Sequence, residues 1–169
     1  SDYYFFKKQI VLNLGVNASS ILFDHDTYLS DPSFRGIETS KIIAYEDDAY
    51  NINNKSRITL LPKNLHKNDE IIQDFSAIKF FMYFNPDSDL VVNNEKLKLI
   101  KHVGSICKEL DMPYLFEPLL YYDDDINLDY QSYLFKKPSY IKTFYKEFSK
   151  EEYQIDIIKI EFPFNEFEV

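Results

Sequence analysis

Five short apolar runs recur along this chain, and segments of helical period stand between them. Residues 18–24 (ASSILFD), 40–46 (SKIIAYE), 77–84 (AIKFFMYF), 114–120 (YLFEPLL) and 155–162 (IDIIKIEF) read as strands. Residues 2–14 can form an amphipathic helix, 64–75 a short one, and 93–110 a longer one with Leu97, Ile100, Val103, Ile106 and Leu110 on one face. Pro138 and Ser139 open a further helix through Phe148, while Pro113 marks a restart and Pro163 closes the last strand. Strands separated by helices imply a parallel sheet built from right-handed crossover units. Five strands with four crossovers follow, in one domain over residues 1–169 with no repeat, linker or low-complexity tract.

Three of these strands carry an ionisable residue among bulky apolar neighbours: Lys79 in AIKFFMYF, Glu117 in YLFEPLL and Lys159 in IDIIKIEF. A charge in a doubly buried strand is costly unless it is paired or functional. All three lie near the middle or in the C-terminal half of consecutive strands, where barrel enzymes gather their catalytic groups. An open nucleotide-binding sheet would instead show a glycine-rich first turn, and three glycines in all, Gly15, Gly36 and Gly104, exclude the dinucleotide and phosphate-loop fingerprints. The expected fold is therefore α/β, a (β/α)8 TIM barrel that is incomplete in this chain.

Composition narrows the function classes. With 169 residues, 45% of them hydrophobic, the chain can bury a substantial core, and no apolar run approaches the roughly 18 residues of a membrane span. A formal net charge of −9 and a pI near 4.8 argue against a nucleic-acid surface, so an anionic substrate needs a local cluster of donors. One cysteine, Cys107, supports no disulfide framework, and no charged-then-apolar leader opens the chain, so the cytoplasm is the expected compartment.

From about Val11 to Val169 the chain resembles the class I tagatose 1,6-bisphosphate aldolases. The resemblance rests on NASSILFD, IIAYEDDAYNINNKSRITLLP, AIKFFMYFNPDSD, HVGSICKELDMPYLFEPLLYYDDDI and IDIIKIEFPFN, which fall in order at the spacing of that barrel's second to sixth strands. It implies a family first strand bearing an active-site Asp ahead of Ser1, and seventh and eighth strands with phosphate-binding loops after Val169. On that reading residues 1–169 alone are expected to be inactive and to associate through uncovered strand edges, with another copy or another chain.

A class I aldolase needs an uncharged amine to attack a ketone, yet a lysine with a pKa near 10.4 is neutral only about once in a few thousand molecules at pH 7. Burial and a second nearby cation both depress such a pKa. The resemblance implies that Lys159 is the Schiff-base lysine, Lys79 the neighbouring cation, and Glu117 the carboxylate that relays protons. It also implies a phosphorylated ketose substrate, no metal or other cofactor, and a place in carbohydrate metabolism such as lactose and galactose catabolism. A related aldolase acting on another ketose phosphate, such as sulfofructose 1-phosphate, fits the same residues, and so does a non-catalytic barrel segment used as a binding or structural piece.

Each residue also has a structural reading. Either lysine could snorkel to the surface, and Glu117 could be their ion-pair partner. Glu161 shares parity with Lys159 and reads either as an interior group or as an ion-pair partner. Arg57 is a candidate substrate-binding residue near a sugar-phosphate mouth, or a solvated loop Arg. His25, His66 and His102 lack metal-ligand spacing, and His25 with Asp24 and Asp26 reads as a strand-end cluster. Asp123, Asp124 and Asp125 lack the alternating ligands and glycine of a calcium loop, and Cys107 reads as core.

Overall fold

The structure, a computed structural model, describes residues 2–47, 56–63, 65–122 and 129–163. Its strands are β1 Ser20–Asp24, β2 Ser40–Ala44, β3 Ala77–Tyr83, β4 Tyr114–Leu119 and β5 Ile157–Ile158, joined in that order into one sheet. Every neighbouring pair is parallel, so each connection must return the chain to the starting end of the sheet. Helix α1 Asp2–Leu14 precedes β1, α2 His25–Ser30 follows it, α3 Leu90–Leu110 links β3 to β4, and α4 Tyr130–Phe148 links β4 to β5. Strand order follows chain order throughout, which is the succession of a (β/α)8 barrel, whereas a doubly wound sheet reverses at a switch point. The open sheet is thus an incomplete (β/α)8 barrel.

Period-two alternation separates the faces of each strand. In β3, Ile78, Phe80 and Met82 are wholly buried on the helix side, which places Lys79, Phe81 and Tyr83 on the other, concave face. Helix α3 contributes Ile100, Val103, Ile106 and Cys107 to the core, and α4 contributes Ile141, Phe144 and Phe148. The Phe148 ring lies 4.8 Å from Phe116 and 5.5 Å from Phe84, in edge-to-face contact with both. Burying each such side chain contributes about 2–3 kcal/mol. Gly104 lets α3 come close to the 3-10 turn Glu151–Tyr153, since a Cβ there would sit 2.2 Å from the Tyr153 carbonyl oxygen.

Several elements differ from the sequence expectation. Helix α4 begins at Tyr130, ahead of Pro138, because Asp129 caps it: its carboxylate accepts from the Ser132 amide at 3.0 Å and the Ser132 hydroxyl at 2.6 Å. Pro138 lies inside the helix, and the Ser139 hydroxyl donates to the Lys136 carbonyl at 2.7 Å beside the missing donor. The helix expected over 64–75 is only a 3-10 turn, Glu70–Asp74; upstream of it the Asp69 carboxylate accepts from the His66 amide at 2.7 Å and closes a competing turn.

The last strand is shorter than 155–162. Its backbone pairing ends where the Lys159 amide donates to the Phe116 carbonyl at 2.9 Å. Beyond that point the Glu161 carboxylate accepts from the Leu120 amide at 2.7 Å, and before β5 the Asp156 carboxylate accepts from the Tyr114 amide at 2.8 Å. Side chains take the places that strand carbonyls would fill. Helix α2 was not anticipated; Asp24 caps it through the Thr27 amide at 2.8 Å and also binds Lys7 at 2.5 Å.

Candidate active site

Four charges of alternating sign run across four neighbouring strands on the concave face. Glu46 follows β2, where the Tyr45 amide donates to the Lys79 carbonyl at 2.7 Å and carries the pairing past the strand end. Its carboxylate meets the Lys79 ammonium at 2.5 Å and accepts from the Phe81 amide at 3.3 Å. Lys79 also lies 3.1 Å from Glu117, whose other oxygen is 2.5 Å from the Lys159 ammonium. One carboxylate therefore bridges two lysines, and the inner lysine is shared by two carboxylates.

The register explains the convergence. Lys79 pairs with Leu115 and Phe81 with Glu117, so Glu117 sits one layer nearer the strand C-termini than Lys79, and the long lysine side chain rises to meet it. Phe116 pairs with Ile158, which puts Lys159 beside Glu117. Exposure then separates the two lysines: the Lys79 side chain is 8% exposed and Lys159 59%. The burial expected for both lysines holds only for Lys79, because β5 is the last strand of the described sheet.

Burial pushes the Glu46 carboxyl up to about 7, although the Lys79 charge and the Phe81 amide pull the other way. Burial acts on Glu117 in the same sense, but hydrogen bonds from Lys159 and Lys79 outweigh it and hold its carboxyl below the ordinary value. Two carboxyls within reach of one ammonium thus differ in proton affinity.

The family model described as DeoC/LacD family aldolase matches residues 6–168. The chain belongs to the DeoC/LacD aldolase family. It is 32% identical over 164 residues to a tagatose 1,6-diphosphate aldolase 2 of Enterococcus faecalis, covering 95% of this chain and 48% of the relative. It is 33% identical over 150 residues to a tagatose 1,6-diphosphate aldolase 2 of Streptococcus mutans, covering 88% and 45%, and 32% identical over 151 residues to a tagatose 1,6-diphosphate aldolase of Staphylococcus haemolyticus, covering 88% and 46%. The chain spans about half the length of the curated relatives it matches.

Other candidates in this DeoC/LacD aldolase chain fall into place around the cluster. Glu161 forms an ion pair with Lys137 at 3.3 Å besides its bond to the Leu120 amide, a structural position. Arg57 is half-buried, with a left-handed backbone of φ 49°. Its guanidinium carbon lies 4.5 Å from the Tyr121 ring centroid and 5.8 Å from that of Tyr83. The ring of His25 contacts Asp26 at 3.1 Å while Asp24 is engaged by Lys7 and Thr27, so this trio is a strand-end cluster. Among the described residues no group of three or more His, Cys, Asp or Glu is placed to hold a metal ion. Cys107 is 1% exposed in the core, and burial pushes its thiol up to about 12. Asp123, Asp124 and Asp125 lie outside the described residues.

Glu46 is the site residue that sequence reasoning missed. It follows an apolar strand directly but opens the acidic stretch EDD, so it reads as a loop acid. The available signal was its position at a strand C-terminal end, the same signal used for the other three.

Proposed function

We propose that this chain carries the Schiff-base machinery of an aldolase that cleaves tagatose 1,6-bisphosphate to dihydroxyacetone phosphate and glyceraldehyde 3-phosphate. The observation that carries the reading is the bridging of Lys79 and Lys159 by the one carboxylate of Glu117. The names of the relatives supply the substrate.

Lys159 is the nucleophile in this reading, because its amine is accessible to a ketone whereas Lys79 is enclosed between two carboxylates. Glu117 accepts the proton that Lys159 must lose, 2.5 Å away. The free amine adds to the ketone carbon. Glu117 then returns the proton to the carbinolamine hydroxyl, which leaves as water and yields an iminium. Cleavage of the bond between the third and fourth carbons sends its electron pair into the iminium, forming an enamine, while the hydroxyl on the fourth carbon gives its proton to Glu117. The aldehyde departs, the enamine is protonated at carbon, and water releases the ketone and the lysine. Lys79, held by Glu46, stays a fixed positive charge beside the relay.

Borohydride reduction in the presence of dihydroxyacetone phosphate tests the reading. The expected product carries one reduced triose phosphate on Lys159, located by peptide mass; an unmodified Lys159 overturns the covalent mechanism and favours a binding or structural role for the segment. In a full-length parent that carries all eight strands, comparing cleavage of tagatose 1,6-bisphosphate with sulfofructose 1-phosphate decides between the two ketose classes.

A further inference from the structure

From Arg57, Tyr121 and Tyr83 we infer a phosphate subsite at the mouth of the concave face, one that takes the phosphoryl group at the aldehyde end of the ketose. This rests on the aldolase reading and adds to it the place where the second anion of the substrate is held.

The site lies in line with the chemistry. Lys79, Phe81 and Tyr83 occupy successive inward positions of β3: the Lys79 ammonium is 4.7 Å from the Phe81 ring centroid, and the Phe81 and Tyr83 rings meet edge to face at 5.6 Å. Tyr83 stands two residues beyond the layer of Phe81 and Glu117, a rise of about 6.6 Å toward the strand C-termini. The carbon chain from the carbonyl to the far phosphoryl group of a six-carbon ketose covers a similar span. Arg57 lies over Tyr83 and Tyr121 at that level.

The platform under the arginine is built from buried polar groups. The Tyr121 hydroxyl is 3.3 Å from both the Lys96 ammonium and the Ser88 hydroxyl, and the Tyr121 carbonyl accepts from the Asn85 side-chain amide at 3.0 Å. Asn93 in turn donates to the Asn85 carbonyl at 2.9 Å. Lys96, Asn85 and Asn93 are 0%, 1% and 6% exposed, a costly set to bury unless it fixes something. What it fixes is the ring on which Arg57 stacks. Stacking occupies the face of a guanidinium and leaves its donor edge available, the geometry suited to the paired oxygens of a phosphoryl group. Among the described residues that edge has no hydrogen bond or ion pair, in a chain whose acidic residues outnumber its basic ones by 28 to 19. The left-handed backbone at Arg57 is an uncommon state for a side-chain-bearing residue, of the kind that persists at ligand clamps.

Calorimetric titration of the protein with glycerol 3-phosphate, a stable mimic of the aldehyde half, tests the subsite, with glycerol as the control. Wild type should bind glycerol 3-phosphate and not glycerol, Arg57→Ala should bind at least tenfold more weakly, and Arg57→Lys should fall between, keeping charge without the planar fork. No binding to wild type, or unchanged binding to Arg57→Ala, overturns the subsite. Dihydroxyacetone phosphate trapping on Lys159 of the wild-type protein reads the parent reaction separately. Normal trapping without glycerol 3-phosphate binding sinks the subsite alone; failed trapping in wild type sinks the aldolase reading.

Discussion

Lys79 and Glu46 meet at 2.5 Å with side-chain exposures of 8% and 4%, the most enclosed ion pair of the cluster. An acid whose pKa is higher folded than unfolded binds a proton on folding between the two values. Its contribution therefore favours the folded state below the ordinary value of 4.5 and is lost as pH rises through about 7. Glu117 has the opposite sign: its depressed value stabilises the fold above the ordinary carboxyl range, and that support is lost as pH falls through the depressed value. Relative to Glu46→Gln, wild type should lose stability on the order of 3 kcal/mol between pH 4.5 and 7. Urea unfolding of both proteins across that range measures the difference, and parallel curves would count against a raised Glu46.

Lys159→Arg should abolish the reduced adduct with dihydroxyacetone phosphate while leaving stability within about 1 kcal/mol of wild type, since the exposed side chain can keep its pairing with Glu117. A guanidinium cannot become a neutral amine at any accessible pH. Adduct formation in this variant, seen by mass spectrometry, would show that another lysine is the nucleophile.

Glu117→Gln keeps the size of the bridge and removes its capacity to take a proton. Adduct formation should slow by about 100- to 10,000-fold, the usual contribution of a positioned acid–base group. The rate of mass gain on Lys159 at neutral pH decides this, and a rate within a few-fold of wild type would remove Glu117 from the relay.

Gly104→Ala tests how β5 is positioned. The new methyl would meet the Tyr153 carbonyl, so α3 and the turn ahead of β5 must separate, at a cost of about 1–3 kcal/mol. Thermal unfolding reads the loss. A wild-type melting temperature would mean that the contact has slack.

The fold was legible where one physical signal dominated. Apolar runs located all five strands, and lysine or glutamate in three of those runs marked three of the four charges of the ion-pair cluster, because an unexplained buried charge is rare. The ends of β5 were not legible, since Asp156 and Glu161 substitute side-chain oxygens for strand carbonyls and so mimic continued strand in an alternating sequence. Proline favours a helix start, so Pro138 reads as one, but the helix starts where Asp129 caps the Ser132 amide, three residues on. Glu46 escaped for a different reason. Its role depends on Lys79 reaching across from the next strand, a relation that no local pattern encodes.

The strict alternation along β3 has an evolutionary consequence. Ile78, Phe80 and Met82 face the helices while Lys79, Phe81 and Tyr83 face the cleft, so inserting or deleting one residue within this strand would exchange the two sets. A lysine would be driven under α3 and its ion pairs with Glu46 and Glu117 lost. Point substitution can retune the concave side one residue at a time, but changes in length are confined to the connections between strands. Insertions and deletions are accordingly open to connections such as the one carrying Arg57, while the spacing of side chains along β3 stays locked to the packing behind it.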